Sequence, residues 1–198
     1  MKYIFAAALF ACLMPFLAAD ETPAKKDKPT DKPAATEENP FKKAKVGDYA
    51  EYKMTTSIGG LNIEGTIKNT VSEKTEKEAT LKTTVTAGGQ ELPGQESKID
   101  LSKPYDPNST TGLPKGDEVK VEKISDGKEK IKIGGKEYDC TWEKSKIKGK
   151  ANGVDLDAEV KVWTCKTVPL GGMVKMEMKS EVINMTMELT ETGSKKEK

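Results

Sequence analysis

From about residue 46 to residue 192, apolar and polar residues alternate with period two, in runs separated by tight-turn dipeptides. These dipeptides are Gly59-Gly60, Gly88-Gly89, Asp126-Gly127, Gly134-Gly135, Asn152-Gly153 and Gly171-Gly172. The runs between them are rich in Val, Ile, Thr and Tyr, which suit a pleated, half-buried surface, and the dipeptides supply the positive φ that hairpin turns require. No apolar stripe of 3.6-residue period with caps is present. The pattern predicts an all-β fold, an antiparallel meander of about ten strands curled into a half-barrel or open sandwich, with little or no helix.

A two-residue turn makes residues equidistant from it face each other, so each register can be tested. Around Gly59-Gly60, Tyr52 meets Ile67, Met54 meets Gly65, Thr56 meets Ile63 and Ile58 meets Leu61 on one face, while Glu51 meets Lys68 on the other. That is the division of a half-buried hairpin. Around Gly134-Gly135, Lys132 meets Glu137, Lys130 meets Asp139 and Ile131 meets Tyr138. Around Asp126-Gly127, however, Lys123 would meet Lys130, which predicts a longer loop or a bulge there.

The segment 140–165 begins Cys-Thr-Trp and ends Trp-Thr-Cys, with Asn152-Gly153 at its centre. Cys140 and Cys165, Trp142 and Trp163, Lys146 and Glu159, and Lys148 and Asp157 are all equidistant from that centre. With a type I′ turn, even-numbered residues before the tip fall in non-hydrogen-bonded pairs with Cα atoms about 4.5 Å apart, at the short end of the disulfide range. The expectation is a Cys140–Cys165 disulfide that staples the hairpin by roughly 3 kcal/mol, with Trp142 and Trp163 as a cross-strand aromatic pair beside it. The cysteines are too far apart in sequence for a redox motif, which favours a structural role. The apolar residues change face along this hairpin: Tyr138 and Ile131 continue the Cys/Trp face, whereas Ile147, Leu156, Ala158, Val160 and Val162 lie opposite. Either a twist or a parity-shifting bulge is expected.

The ends of the chain are of different character. Lys2, an apolar run from Tyr3 to Leu17 and the small residues Ala18-Ala19 read as a signal peptide over 1–19. The alternative is a lipid anchor through Cys12 of "LFAC". Residues 20–45 are dominated by Lys, Pro, Ala, Asp, Glu and Thr, with Phe41 as the lone large apolar residue, and read as a disordered linker. A single β domain over 46–192 and a disordered tail over 193–198 complete the expected organisation. No second apolar segment is long enough to span a bilayer as a helix, so the mature chain is expected to carry no transmembrane segment and to be exported, periplasmic or secreted.

Composition narrows the chemistry. All 33 basic residues are lysine, there is no histidine, and 32 acids leave a net charge of +1. Guanidinium recognition of phosphate or guanine, histidine bases and histidine metal ligands are thereby excluded. No field draws the chain to nucleic acid, no cofactor is indicated and an enzyme is not expected. With 35% hydrophobic and 33% charged residues the core must be thin.

Three features carry candidate chemistry. Met173, Met176, Met178, Met185 and Met187 fall in "MVKMEMKSEVINMTMEL", where Met176, Met178, Met185 and Met187 alternate with polar residues. They suit a core, an adaptable apolar ligand face, or, as soft thioethers, a Cu(I) site. The parity slips near Val182-Ile183, which predicts a bulge or bend. The loop 100–117, with Tyr105, Asp106 and Asn108, reads as a crossover between sheet halves or as a ligand-contacting loop. Lysine-rich runs such as "EKSKIKGK" face acids across the strand and read as a solvated surface.

The segment "VWTCKTVPLGGMVKMEM", 162–178, resembles a pattern in uncharacterised exported bacterial β-domains, where Trp, a small residue, Val-Pro and glycines join two antiparallel strands. Those domains are similar in turn to the half-barrel of the periplasmic lipoprotein carriers, a curled sheet with an apolar concave face. The resemblance implies a non-catalytic envelope domain that binds a lipid or another apolar molecule. An envelope protein as partner, in a purely structural or interaction role, is the alternative.

Overall fold

A computed structural model of the protein describes residues 39–105, 119–151 and 154–195. The expected signal peptide with Cys12, the linker up to residue 38, Asp106, Asn108, Asn152-Gly153 and the last three residues lie outside the described residues. Nine strands follow one another: β1 (Asp48–Ile58), β2 (Leu61–Lys74), β3 (Glu78–Ala87), β4 (Gln90–Asp100), β5 (Lys120–Ile133), β6 (Lys136–Ala151), β7 (Val154–Thr164), β8 (Met173–Ser180) and β9 (Ile183–Ser194). A single 3-10 turn, Pro40–Lys42, precedes them, and no α-helix occurs among the described residues.

All strands join one antiparallel sheet in the order β4-β3-β2-β1-β9-β8-β7-β6-β5. β4 and β5, consecutive in the chain, are therefore the two edges, and the segment between them crosses from one half of the sheet to the other. The sheet curls far enough for β5 to approach β9, four places away, but it does not close. The result is an open, curled half-barrel.

The turn dipeptides set the registers as the spacing predicts. Tyr52 pairs with Ile67 and Ile58 with Leu61, Ile131 pairs with Tyr138, and Trp142, Lys146 and Lys148 pair with Trp163, Glu159 and Asp157. Gly59 and Gly60 hold φ of 56° and 86°, values that a side chain would strain. Asp126-Gly127 is not a turn. It lies inside β5, and the bulge expected nearby falls between Lys123 and Ser125. Gly127 is required opposite Trp142, because a Cβ there would stand 2.8 Å from the ring carbon Cζ2. One long strand replaces two short ones, which leaves nine strands rather than ten.

The expected disulfide is absent. Cys140 and Cys165 are free, buried thiols outside bonding distance. The β6–β7 ladder reaches Thr141 and Thr164 and goes no further, and the β7–β8 register shifts between Trp163 and Thr164. Beyond it Cys165 turns away, its N–H donating to Gly172 O at 2.7 Å and its carbonyl accepting from Val168 N at 3.1 Å. Equidistance from a turn brings residues together only while the ladder continues. Cys140 pairs instead with Glu129 of β5, and burial, followed by Cys165, Glu129 and Asp139, pushes its thiol up to about 11.

The change of apolar face along β6 and β7 involves no bulge between them, since their register is unbroken from Thr141/Thr164 to Ala151/Val154. The two faces are apolar at different places along the hairpin, the concave one further towards the tip. The concave face carries Ile147, Ala158, Val160 and Val162, and the convex face carries Tyr138, Cys140 and Trp163, all of them buried.

One end of the half-barrel is plugged. Phe41, at 0% exposure, packs at 5.6 Å from the Tyr105 ring, and Leu101, Val168 and Leu170 are buried with it in the core. The Asn39 amide donates to Asp100 O and Lys103 O at 3.3 and 3.2 Å, while its Oδ1 accepts from Phe41 N at 3.1 Å. Residues 39–45 are thus docked on the domain rather than linker, because the one large apolar residue of that segment finds a site. At the other terminus β9 runs to Ser194, past the expected boundary at 192.

Candidate functional site on the concave face

Pairing through the sheet lines up concave-face side chains in rows that run across the strands. The outermost row is Leu61, Ile58, Ile183, Ala158, Ile147 and Val121. The next contains Ile63, Thr56, Met185, Met178, Val160 and Ser145. Below it come Gly65, Met54, Met187, Met176, Val162 and Glu143, and deeper still Tyr52 pairs with Leu189 and Ile67. Period-two alternation alone places these residues on one face, and the hairpin registers bring them level.

The four methionines read from the sequence therefore meet: Met176 pairs with Met187 and Met178 with Met185. Met54 of β1, opposite Met187, joins them. Its membership was not legible from local spacing, since it rests on pairing between strands at the two ends of the chain. Met54, Met176 and Met187 are sealed at 0–2% exposure, Met178 is buried and Met185 half-buried. The hydroxyl of Thr56, in the same region, is buried and without a hydrogen-bond partner. Tyr52, deeper on the face, donates to Met173 O at 3.3 Å, and burial, then Tyr105, pushes its phenol pKa up.

The face opens towards β5. A cleft of about 370 Å³ lies there, with Val160, Val162 and Ser145 as floor and Lys123, Asp126, Lys128 and Glu143 along its wall. Lys123 bridges Asp126 at 3.2 Å and Glu143 at 3.4 Å, and Ser145 Oγ donates to Glu143 at 3.3 Å. The Asp126 hydrogen bond, with Glu143 adding to it, raises the Lys123 pKa, so this ammonium remains charged. Two valines beside two cations and two carboxylates make an amphipathic site. Nothing in the sequence marked Lys123, Asp126 or Glu143, because their common face depends on pairing across the β5 bulge.

The Trp pair lies on the convex face. The Lys161 ammonium stands over both rings, 4.2 Å from the Trp142 centroid and 4.3 Å from that of Trp163, and bridges Glu129 at 3.2 Å. The buried Trp163 indole N–H lies close enough to Glu129 to lower its pKa, ahead of Lys161, without full hydrogen-bond geometry. Lys175 bridges Glu177 and Glu188, each at 3.1 Å, and these carboxylates outweigh its burial and raise its pKa. The cations and anions here satisfy one another, and a cleft of about 290 Å³ beside Trp142 is lined by Trp142 and Val160 among these and other Lys and Glu side chains. Of the loop residues, Tyr105 belongs to the plug. Among the described residues no three His, Cys, Asp or Glu side chains converge as a metal site.

No family model matches the chain and no curated protein matches it. Among solved structures, a Bacteroides fragilis protein of YmcC-like fold, assigned as exported, superposes with a TM-score of 0.52 at 10% identity, over 76% of this chain and 97% of that one. LprF from Mycobacterium bovis gives 0.33 at 11% identity over 75% and 87%, and a LolA superfamily protein from Nitrosomonas europaea gives 0.25 at 7% over 82% and 93%. The first of these shares the overall fold. The chain's curled, open half-barrel is therefore similar in fold to that YmcC-like protein.

Proposed function

We infer that this is a non-catalytic, exported binding domain that holds an amphiphile on its concave face, with the polar head at Lys123, Asp126 and Glu143 and the apolar part on Val160 and Val162 towards the methionines. The carrying observation is the cleft itself, an apolar floor next to a charged wall on a sheet that does not close. Methionine supports the reading: a core that needs only to be filled is better specified by branched aliphatics, whereas unbranched thioethers repack around different shapes.

Titration with laurate and with a neutral dodecyl amphiphile, alongside native mass spectrometry of the purified protein, tests this. Saturable binding of both is expected, with Lys123→Ala weakening laurate more than the neutral ligand. The sealed state of Met54, Met176 and Met187 favours a second reading, in which the face is core and the protein is a structural or interaction component of the envelope. No saturable binding and no co-purified lipid would leave that reading in place of the first.

A further inference from the structure

Exposed large apolar side chains are unevenly placed. Leu61 at 68%, Val182 at 66% and Val121 at 48% stand at one end of the sheet, opposite the plug, while Ile124 at 48% lies within β5 and Val46 at 41% lies just before β1 at the plugged end. Leu61 and Val121 terminate the same cross-strand row, through Ile58, Ile183, Ser180, Ala158 and Ile147, and Val182 lies in the β8–β9 turn next to Ile183. Exposure falls steadily inward, from Leu61 and Val182 through half-buried Ile58, Ile183 and Met185 to buried Met178 and Met187. The apolar surface at this end is therefore continuous with the interior.

Leu61 and Val182 each sit at a hairpin turn. The Gly59-Gly60 turn projects into open space, with nothing within 4 Å of where side chains would begin. The β8–β9 turn is fixed by Ser180, whose Oγ accepts from Ile183 N at 2.9 Å and from Val182 N at 3.3 Å. These are separate protruding points rather than a flat patch. A folded partner needs contiguous complementary surface, whereas fluid hydrocarbon accepts isolated apolar points. Charges around this end are mixed in sign: Lys146 and Lys148 bridge Asp157 at 3.3 and 3.7 Å, Lys144 bridges Glu159 at 2.7 Å, and Lys179 stands near Glu181 in the chain. No net field selects an anionic partner.

We propose that this end docks on a lipid bilayer, with Leu61 and Val182 entering the interfacial region and the mouth of the concave face held against the hydrocarbon. This rests on the amphiphile-binding reading and adds to it where the amphiphile comes from. Attachment depends on apolar insertion, so it needs no anionic lipid and withstands salt.

The test uses the full chain with phosphatidylcholine vesicles. Leu61→Trp reports the tip itself, whatever else in the chain touches lipid: its added emission should shift to the blue and be quenched by bromine-labelled acyl chains. Leu61→Asp/Val182→Asp, both at exposed positions, should weaken vesicle flotation by at least about tenfold while laurate binding stays unchanged. Added phosphatidylglycerol or high salt should alter flotation little. A tip that remains in water while laurate still binds overturns the docking, keeps the binding site and leaves an envelope protein as the occupant of this end. Flotation that requires anionic lipid and disappears in salt also overturns it. Tip immersion without laurate binding supports the docking and removes the amphiphile site.

Discussion

At one end of the curled sheet Phe41, Leu101 and Leu170 are buried and the Asn39 amide donates to two backbone carbonyls; at the other Leu61 and Val182 are exposed at hairpin turns. Residues of similar hydrophobicity thus have opposite fates within one sheet. The difference teaches that the mouth is not simply the unfinished side of a barrel. The same chain that recruits a segment from before β1 to seal one end places apolar points at the other and leaves them uncovered. Gly171 shows how tight the sealed end is: its φ is +89°, and a Cβ there would lie 2.1 Å from the Tyr105 hydroxyl.

The sharpest way to break this contrast is Phe41→Ala. Emptying a fully buried aromatic site should cost about 3–5 kcal/mol in urea unfolding. A loss below about 1 kcal/mol would mean that the 39–45 segment is not part of the folded domain. Next comes the thiol near the sealed end. The folded chain keeps the Cys140 proton up to about 11, while the unfolded thiol loses it near its ordinary value of 9.0. Between these values the native state binds more protons, so stability falls as pH rises through the window, by up to about 1.4 kcal/mol per pH unit. Cys140→Ser should remove that part of the slope between about pH 9 and about pH 11; equal slopes in the two proteins would contradict it. The smallest effect belongs to the open end. Leu61→Ala should change stability by no more than about 0.5 kcal/mol, and a larger loss would show that the tip is packed in solution.

Much of the architecture was readable because glycine pairs and Asn-Gly fix registers locally. The β1–β2 and β5–β6 pairings and the Trp142–Trp163 match follow from counting residues away from a turn. Counting fails where a dipeptide serves another purpose, as at Gly127, where the missing side chain makes room for the Trp142 ring. It fails again where a ladder stops, as between Thr164 and Cys165. The candidate site was only half legible. Met176, Met178, Met185 and Met187 share one hairpin and could be grouped from spacing, while Met54 and the Lys123 wall are brought in by long-range pairing and by a bulge that no local pattern announces. The break in parity read near Val182-Ile183 is the β8–β9 turn itself.

The pairing of β1 with β9 has a consequence for how the molecule assembles. Every other neighbouring pair in the sheet is made by consecutive strands, so β4 to β1 and β5 to β9 are each a run of local hairpins, and residues as distant as Asp48 and Ser194 meet only along this seam. Local hairpins close quickly, whereas the seam must wait for the largest loop in the chain to close. The two halves are separate runs of hairpins, and covalent linkage between β4 and β5 keeps them at high effective concentration until β1 and β9 find each other.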